Sequence, residues 1–294
     1  MNLSQFITLI SLAAIWGASF MFMRIAAPEF GPVPLITIRA AVGFITLLPF
    51  LLFFKGVRDI SNNWFSICVV GLTNTAIPFT LLAFSALSLS AGLNSILNAT
   101  APIFAGLIAF VWFKENLTVS KTTGLILGFL GVVSLFFTKT DVSFEATSIA
   151  IIAGLFAGLN YGFAACYTKK KLTGVNTLAI ATGSQFFATL ACLPFLPMTW
   201  PSTPVSDLAL YSSITLGTVC TALAYILYFR LIASLGPEKA ITVAYLIPVF
   251  GIVWGVLFLH EIVTLSMLMG AALILFGVSM TTGMLKMKTS KNNT

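Results

Sequence analysis

The chain has 294 residues, 59% of them hydrophobic and only 8% charged, with a mean hydropathy of +1.04 and a net charge of +7. A water-exposed surface ordinarily carries about a quarter charged residues, so a soluble globular domain is excluded and lipid must solvate most of this surface. Nucleic acid is excluded as a partner: Lys and Arg sit in short loops and near the C-terminus, with no basic stripe and no interleaved aromatics.

Ten apolar runs follow one another at roughly 5–24, 34–54, 64–84, 91–113, 121–138, 146–167, 177–197, 208–229, 239–259 and 265–285. Each is near the ~20 residues that cross a bilayer as a helix. The first has no basic stretch before it and reads as a retained span, not a cleaved signal; it carries Trp16 and Ser19. Gly31-Pro32-Val33-Pro34 separates it from the second, which holds Arg39, the one basic residue well inside a run. A central Arg costs about 3 kcal/mol on the lenient insertion scale. Arg39 is close enough to the Pro34 end to snorkel, so two roles stand open: structural anchor, or partner of a substrate carboxylate.

The loop from Lys55 to Asn63 leads to a third run with Asn74 and Thr75. In the fourth, Asn94, Asn98 and Pro102 are spaced by four and share one helix face. It closes on Glu115, and the stretch from Lys114 to Lys121 leads into the fifth. The sixth run carries Asn160 and Tyr161 and ends on Lys169-Lys170-Lys171; the seventh carries Thr182, Gln185 and Thr189. After Trp200-Pro201-Ser202-Thr203-Pro204, the eighth places Thr218, Thr221, Tyr225 and Tyr228 together. The ninth contains Tyr245 and Pro248 and closes on His260 and Glu261. No loop is long enough for a soluble domain.

Polar groups are expensive in lipid, so these positions are candidates for the wall of a cavity that takes a small zwitterion or amphiphile. The alternative for each is helix–helix glue, worth about 0.6 kcal/mol per hydrogen bond. Pro102 and Pro248 read as hinges or as static kinks. Glu115 and Glu261 read as caps for the helix that follows each, and His260 leaves proton coupling open. Cys68, Cys166, Cys192 and Cys220 fall inside apolar runs without metal-like spacing and read as small core residues.

Sorting the loops alternately puts Lys55, Arg58, Lys114, Lys121, Lys169, Lys170, Lys171, Arg230, Lys239, Lys286, Lys288 and Lys291 on the N-terminal side, against Arg24 and Lys139 on the other. That asymmetry predicts cytoplasmic termini and an even number of spans in the cytoplasmic (inner) membrane. The net charge thus serves topology, facing anionic headgroups.

The two halves resemble each other. At an offset of 146, Gly71, Thr75, Ala76, Pro102, Glu115, Thr118, Gly124 and Gly131 match Gly217, Thr221, Ala222, Pro248, Glu261, Thr264, Gly270 and Gly277. Earlier in each half the offset is 145, with Pro49-Phe50-Leu51 over Pro194-Phe195-Leu196. The expected units are 1–140 and 141–294, each of five helices. An odd number makes the second enter from the opposite side, an inverted repeat of the kind secondary transporters use.

The chain resembles the bacterial drug/metabolite transporters of the EamA type. The resemblance rests on Ile15-Trp16-Gly17-Ala18-Ser19-Phe20, on Arg39, and on the stretches Glu115 to Gly131 and Glu261 to Gly277. It implies an all-α membrane basket of ten helices around a central cavity, and a secondary transporter of small metabolites such as amino acids. Family members that export toxic cations keep a second substrate class open. An intramembrane enzyme lacks a buried nucleophile with its base or a carboxylate pair, and a channel lacks charged rings or a filter loop. No phosphate-cradling loop appears, so ATP is not the direct energy source. The expected partners are a small-molecule substrate and the bilayer, with no cofactor or metal. Proton or counter-substrate coupling, direction of transport and oligomeric state stay open.

Overall fold

The computed structural model describes residues 3–114, 118–137, 143–236, 240 and 242–285. All secondary structure among them is helical. In chain order the apolar helices are α1 (Leu3–Phe30), α2 (Pro32–Phe53), α3 (Trp64–Ser85), α4 (Ala91–Phe113), α5 (Val119–Leu135), α6 (Phe144–Lys171), α7 (Thr177–Thr199), α8 (Asp207–Leu235), α9 (Val243–Leu259) and α10 (Leu265–Thr281). Seven are long and apolar enough to cross a membrane; α5, α9 and α10 are shorter, at 17 residues. Seventeen residues rise about 25 Å, just under the ~30 Å hydrocarbon layer.

Local chemistry sets the helix starts. Ser90, Thr118, Ser143, Asn176, Ser206 and Thr264 each accept a backbone N–H of the first turn through the side chain, contacts worth about 1 kcal/mol apiece. Thr264 thus caps α10, the role expected of Glu261. Glu261 instead reaches across the fold and accepts the Ala91 and Gly92 amides at the start of α4, at 2.7 and 3.4 Å. Glu115 lies outside the described residues.

Four irregularities interrupt the apolar helices; one is a 3-10 turn at Leu193–Phe195 in α7. α3 widens into a π segment at Leu72–Ala76, and α8 does so at Thr218–Leu223, the matching place in the second half. α4 breaks into Ala91–Asn98 and Ala101–Phe113. Pro102 has no N–H for the Asn98 carbonyl, and its ring crowds that oxygen, so the chain turns one step earlier, at Ala99 and Thr100. The expected single face of Asn94, Asn98 and Pro102 is therefore split between two segments. Pro248, by contrast, lies inside continuous α9, so the two matching prolines differ in local structure.

The helices approach through glycine. A Cβ added to Gly17 of α1 would stand 2.6 Å from the Phe250 Cβ of α9; one added to Gly162 of α6 would stand 2.7 Å from the Ala105 nitrogen of α4. Gly17 and Gly162 are repeat partners, and so are Phe104 and Phe250, so one contact is made twice between exchanged partners. The α5–α10 pair repeats the arrangement: Gly124 lies against Gly277, and Gly131 against Gly270. These glycines thus pack within one chain.

Hydrogen bonds fix which helix ends share a face. At the second face, Arg24 near the end of α1 donates to the Ala86 and Leu87 carbonyls beyond α3 at 2.6 and 2.9 Å, and Glu29 accepts from Ser206 at the start of α8. The Glu261 contact with Ala91 lies there too. At the opposite, first face, Gln5 donates to the Ser234 carbonyl near the end of α8, and Lys169 of α6 sits 5.1 Å from the Phe113 ring at the end of α4.

Gly124→Val should lower stability by about 1–3 kcal/mol through overpacking, because its Cβ would lie 2.5 Å from the Gly277 carbonyl oxygen. Ile126→Val, on the exposed side of α5, should leave stability unchanged. Thermal unfolding in detergent compares the two.

Candidate substrate cavity

A cavity of about 650 Å³ lies between the halves, within the range of small-molecule sites. α1 contributes Trp16, Ser19, Phe20 and Met23; α2 contributes Arg39; α3 contributes Asn74, Phe79 and Leu82. α4 lines it from Asn98 through Pro102 to Phe113, α6 with Tyr161 to Lys169, and α8 with Cys220, Thr221, Tyr225 and Tyr228. Lys121, Thr281 and Thr282 complete its first-face end. Beyond Met23 and Leu82 the second face is joined by the Arg24 and Glu261 contacts, whose residues do not line the cavity. The wall is mostly apolar and aromatic, with the Trp16 and Tyr228 rings 5.3 Å apart.

Arg39 stands at the inner end and is 3% exposed. Its Nε donates to the Thr221 hydroxyl at 3.1 Å, and its Nη1 approaches the Met23 sulfur at 3.8 Å. The guanidinium carbon lies 3.7 Å from the centre of the Phe79 ring, a cation–π contact worth about 2 kcal/mol when desolvated. The Thr221 hydroxyl in turn donates to the Leu216 carbonyl at 2.8 Å, five residues back along the π segment. Tyr161, Cys220 and Tyr225 are electrostatic neighbours of Arg39, and Asn74 is within hydrogen-bonding reach of Tyr225. None of the described carboxylates pairs with Arg39, and no Asp or Glu is among the described lining residues.

The sequence candidates divide. Trp16, Ser19, Arg39, Asn74, Asn98, Pro102, Tyr161, Thr221, Tyr225 and Tyr228 line this cavity together. Asn94 does not: it is buried and donates to the Leu82 carbonyl at 2.8 Å, leaving its own oxygen unpartnered. Gln185 is buried behind Gly43 of α2, with neither amide atom partnered. Asn160 bonds the Phe156 carbonyl of its own helix. Tyr245 shares a 2.6 Å hydrogen bond with Thr282, one shell behind the wall. Pro248 is buried in α9, and His260 is an exposed left-handed cap at φ 54°. Among the described residues no cluster of His, Cys, Asp or Glu is arranged to hold a metal. The sequence reading missed Phe79, Met23, Lys121, Lys169 and Cys220. Phe79 and Met23 are anonymous members of apolar runs; the lysines entered the reading only as topology signals.

Family comparison supplies the context for this geometry. The EamA-like transporter family matches twice along the chain, at residues 3–137 and 148–283. The chain belongs to that family. The uncharacterized transporter YoaV of Bacillus subtilis is 24% identical to it over 93% of this chain and 95% of its own length. A protein of Streptantibioticus cattleyicolor named as a probable terminal-alkyne amino-acid exporter is 24% identical over 95% and 93%. Protein PecM of Dickeya dadantii is 23% identical over 88% and 86%. A solved crystal structure superposes with a TM-score of 0.66 over 97% of this chain and 98% of its own, at 13% identity, which speaks to fold alone. This EamA-like chain is a multi-pass membrane protein of a transporter family, and its cavity is where a substrate has room to bind.

Thr221→Val removes the Arg39 acceptor without changing side-chain shape and should cost about 1.5–3 kcal/mol, the range for a hydrogen bond to a charged group. Thr218→Val, whose hydroxyl bonds only the Ile214 carbonyl of its own helix, should cost less. Unfolding midpoints of the two purified variants decide between them.

Proposed function

We propose that the chain is a secondary active transporter that exports small amphiphilic metabolites, amino acids or related compounds, across the cytoplasmic membrane by alternating access. The observation that carries this reading is the cavity: both halves line it, one end is closed by cross-fold hydrogen bonds, and the other reaches Phe113, Lys121 and Lys169. The excess of Lys and Arg on that first face supports a cytoplasmic placement for it and for both termini. The protein then stands open to the cytoplasm, the loading state of an exporter.

All ten apolar helices cross the bilayer on this reading, the three shorter ones with local thinning or flanking caps. The halves act as inverted five-helix units, 1–140 and 141–294. The exchanged glycine contacts support that arrangement, because antiparallel copies related by a two-fold axis must touch as i to j and j to i. The relative named as a probable amino-acid exporter supports the substrate class. Export of toxic cations, the other family substrate, has less support from a wall whose described ionisable groups include Arg39, Lys121 and Lys169 and no acid. The π segments of α3 and α8 are candidate bending points, since a π segment lets a helix change register at small cost.

In oriented vesicles of a variant lacking the four native cysteines, Ala109→Cys should react with a membrane-impermeant maleimide from the first face and not from the second. Substrate on the trans side should speed exchange in counterflow, which a channel does not do. Labelling from the second face alone would overturn the proposed orientation.

A further inference from the structure

Arg39 is a full positive charge held at the closed end of a cavity whose described lining residues offer it no counter-charge. A buried guanidinium ordinarily sits against a carboxylate. Here its neighbours are neutral: the Thr221 hydroxyl, the Met23 sulfur and the Phe79 ring. These use Nε, one Nη1 position and one face. The guanidinium has five N–H donors in a planar fork, so its Nη2 edge keeps donors, and Arg39 lines the cavity. Lys121 and Lys169 also line the cavity, toward its mouth.

We infer that the cavity selects its substrate by a carboxylate, which Arg39 binds at this closed end, and that amphiphiles lacking an anionic group are excluded. The inference rests on the transporter reading above and names the group that its substrates must carry. Trp16, Phe79, Tyr161 and Tyr228 supply the surface for the rest of the molecule, an aromatic or branched apolar body. Arg39 is a specificity-determining residue on this account, not the anchor to which the sequence alone also pointed. The Thr221 bond gives the contact a second property. Thr221 belongs to the π segment of α8, so a carboxylate drawing on the guanidinium is linked through one hydroxyl to a helix irregularity of the second half.

The test is counterflow in proteoliposomes of the full chain with matched probes: L-phenylalanine, L-leucine and phenylacetate, against L-phenylalaninamide, L-leucinamide and phenethylamine. Carboxylates should exchange, and their amide or amine counterparts should not. Arg39→Gln should raise the concentration for half-maximal exchange by about thirtyfold or more, the loss typical of truncating one partner of a buried charge pair. Arg39→Lys keeps the charge and loses the fork, so it should fall between. The probe comparison on the unaltered protein does not depend on the variants folding. Equal exchange of amides and amines would overturn the carboxylate requirement and leave the transporter reading standing. Exchange of none of the six would overturn both.

Discussion

Everything in this structure depends on how closely helices can approach without a hydrophobic force to press them together. Lipid is as apolar as a leucine side chain, so association rests on dispersion between surfaces in contact and on a few polar bonds. Gly17 against Phe250, Gly162 against Phe104 and the Gly124–Gly277 pair bring backbones to distances that no Cβ would permit. Those contacts fix where α1 and α9, α4 and α6, and α5 and α10 lie. The cavity is the space left between helices so placed.

Within that frame a single charge organises the interior. Arg39 costs several kcal/mol to hold among apolar helices, and the fold meets the cost with an aromatic face, a sulfur and one hydroxyl in place of an acid. An acid partner would neutralise the cavity and fill the donors. The neutral set stabilises the cation while leaving its charge expressed toward the cavity. That difference separates an internal ion pair, whose donors are spent, from a guanidinium at the end of a pocket with donors to spare. Glu261 shows the opposite use of a charge. Its carboxylate is committed to the Ala91 and Gly92 amides, where the positive end of the helix dipole favours it, and it closes the face away from the cavity mouth.

Much of this was legible in the residues. Long apolar runs with Pro, Gly and Lys between them gave the helices and their order, because in lipid hydrophobicity over about 20 residues leaves few alternatives. Trp16 and Ser19 of α1, Asn74 of α3, and Thr221, Tyr225 and Tyr228 of α8 line the cavity. The failures share a cause. Asn94 and Gln185 are as polar as Asn98, but which positions meet a cavity depends on distant packing: Asn94 lies one turn nearer the second face than Asn98 and is taken up by the Leu82 carbonyl of α3. Glu261 was assigned to the nearest helix start, since sequence distance is the one distance a sequence gives; its partner lies 170 positions away. The π segments have no compositional signature at all, and Phe79 is one phenylalanine among 27.

The exchanged contacts bear on how such a chain can drift. A contact between Gly17 and Phe250 is relieved of strain by change at position 250, in the other half, and never by change at position 162, the residue that looks most like Gly17 by descent. Each half is therefore the template against which the other is shaped. Duplicated copies can lose nearly all likeness to one another while remaining matched in volume across the seam. Along α5 and α10 a helix meets its own counterpart, and there Gly124, Gly131, Gly270 and Gly277 have no room for independent change.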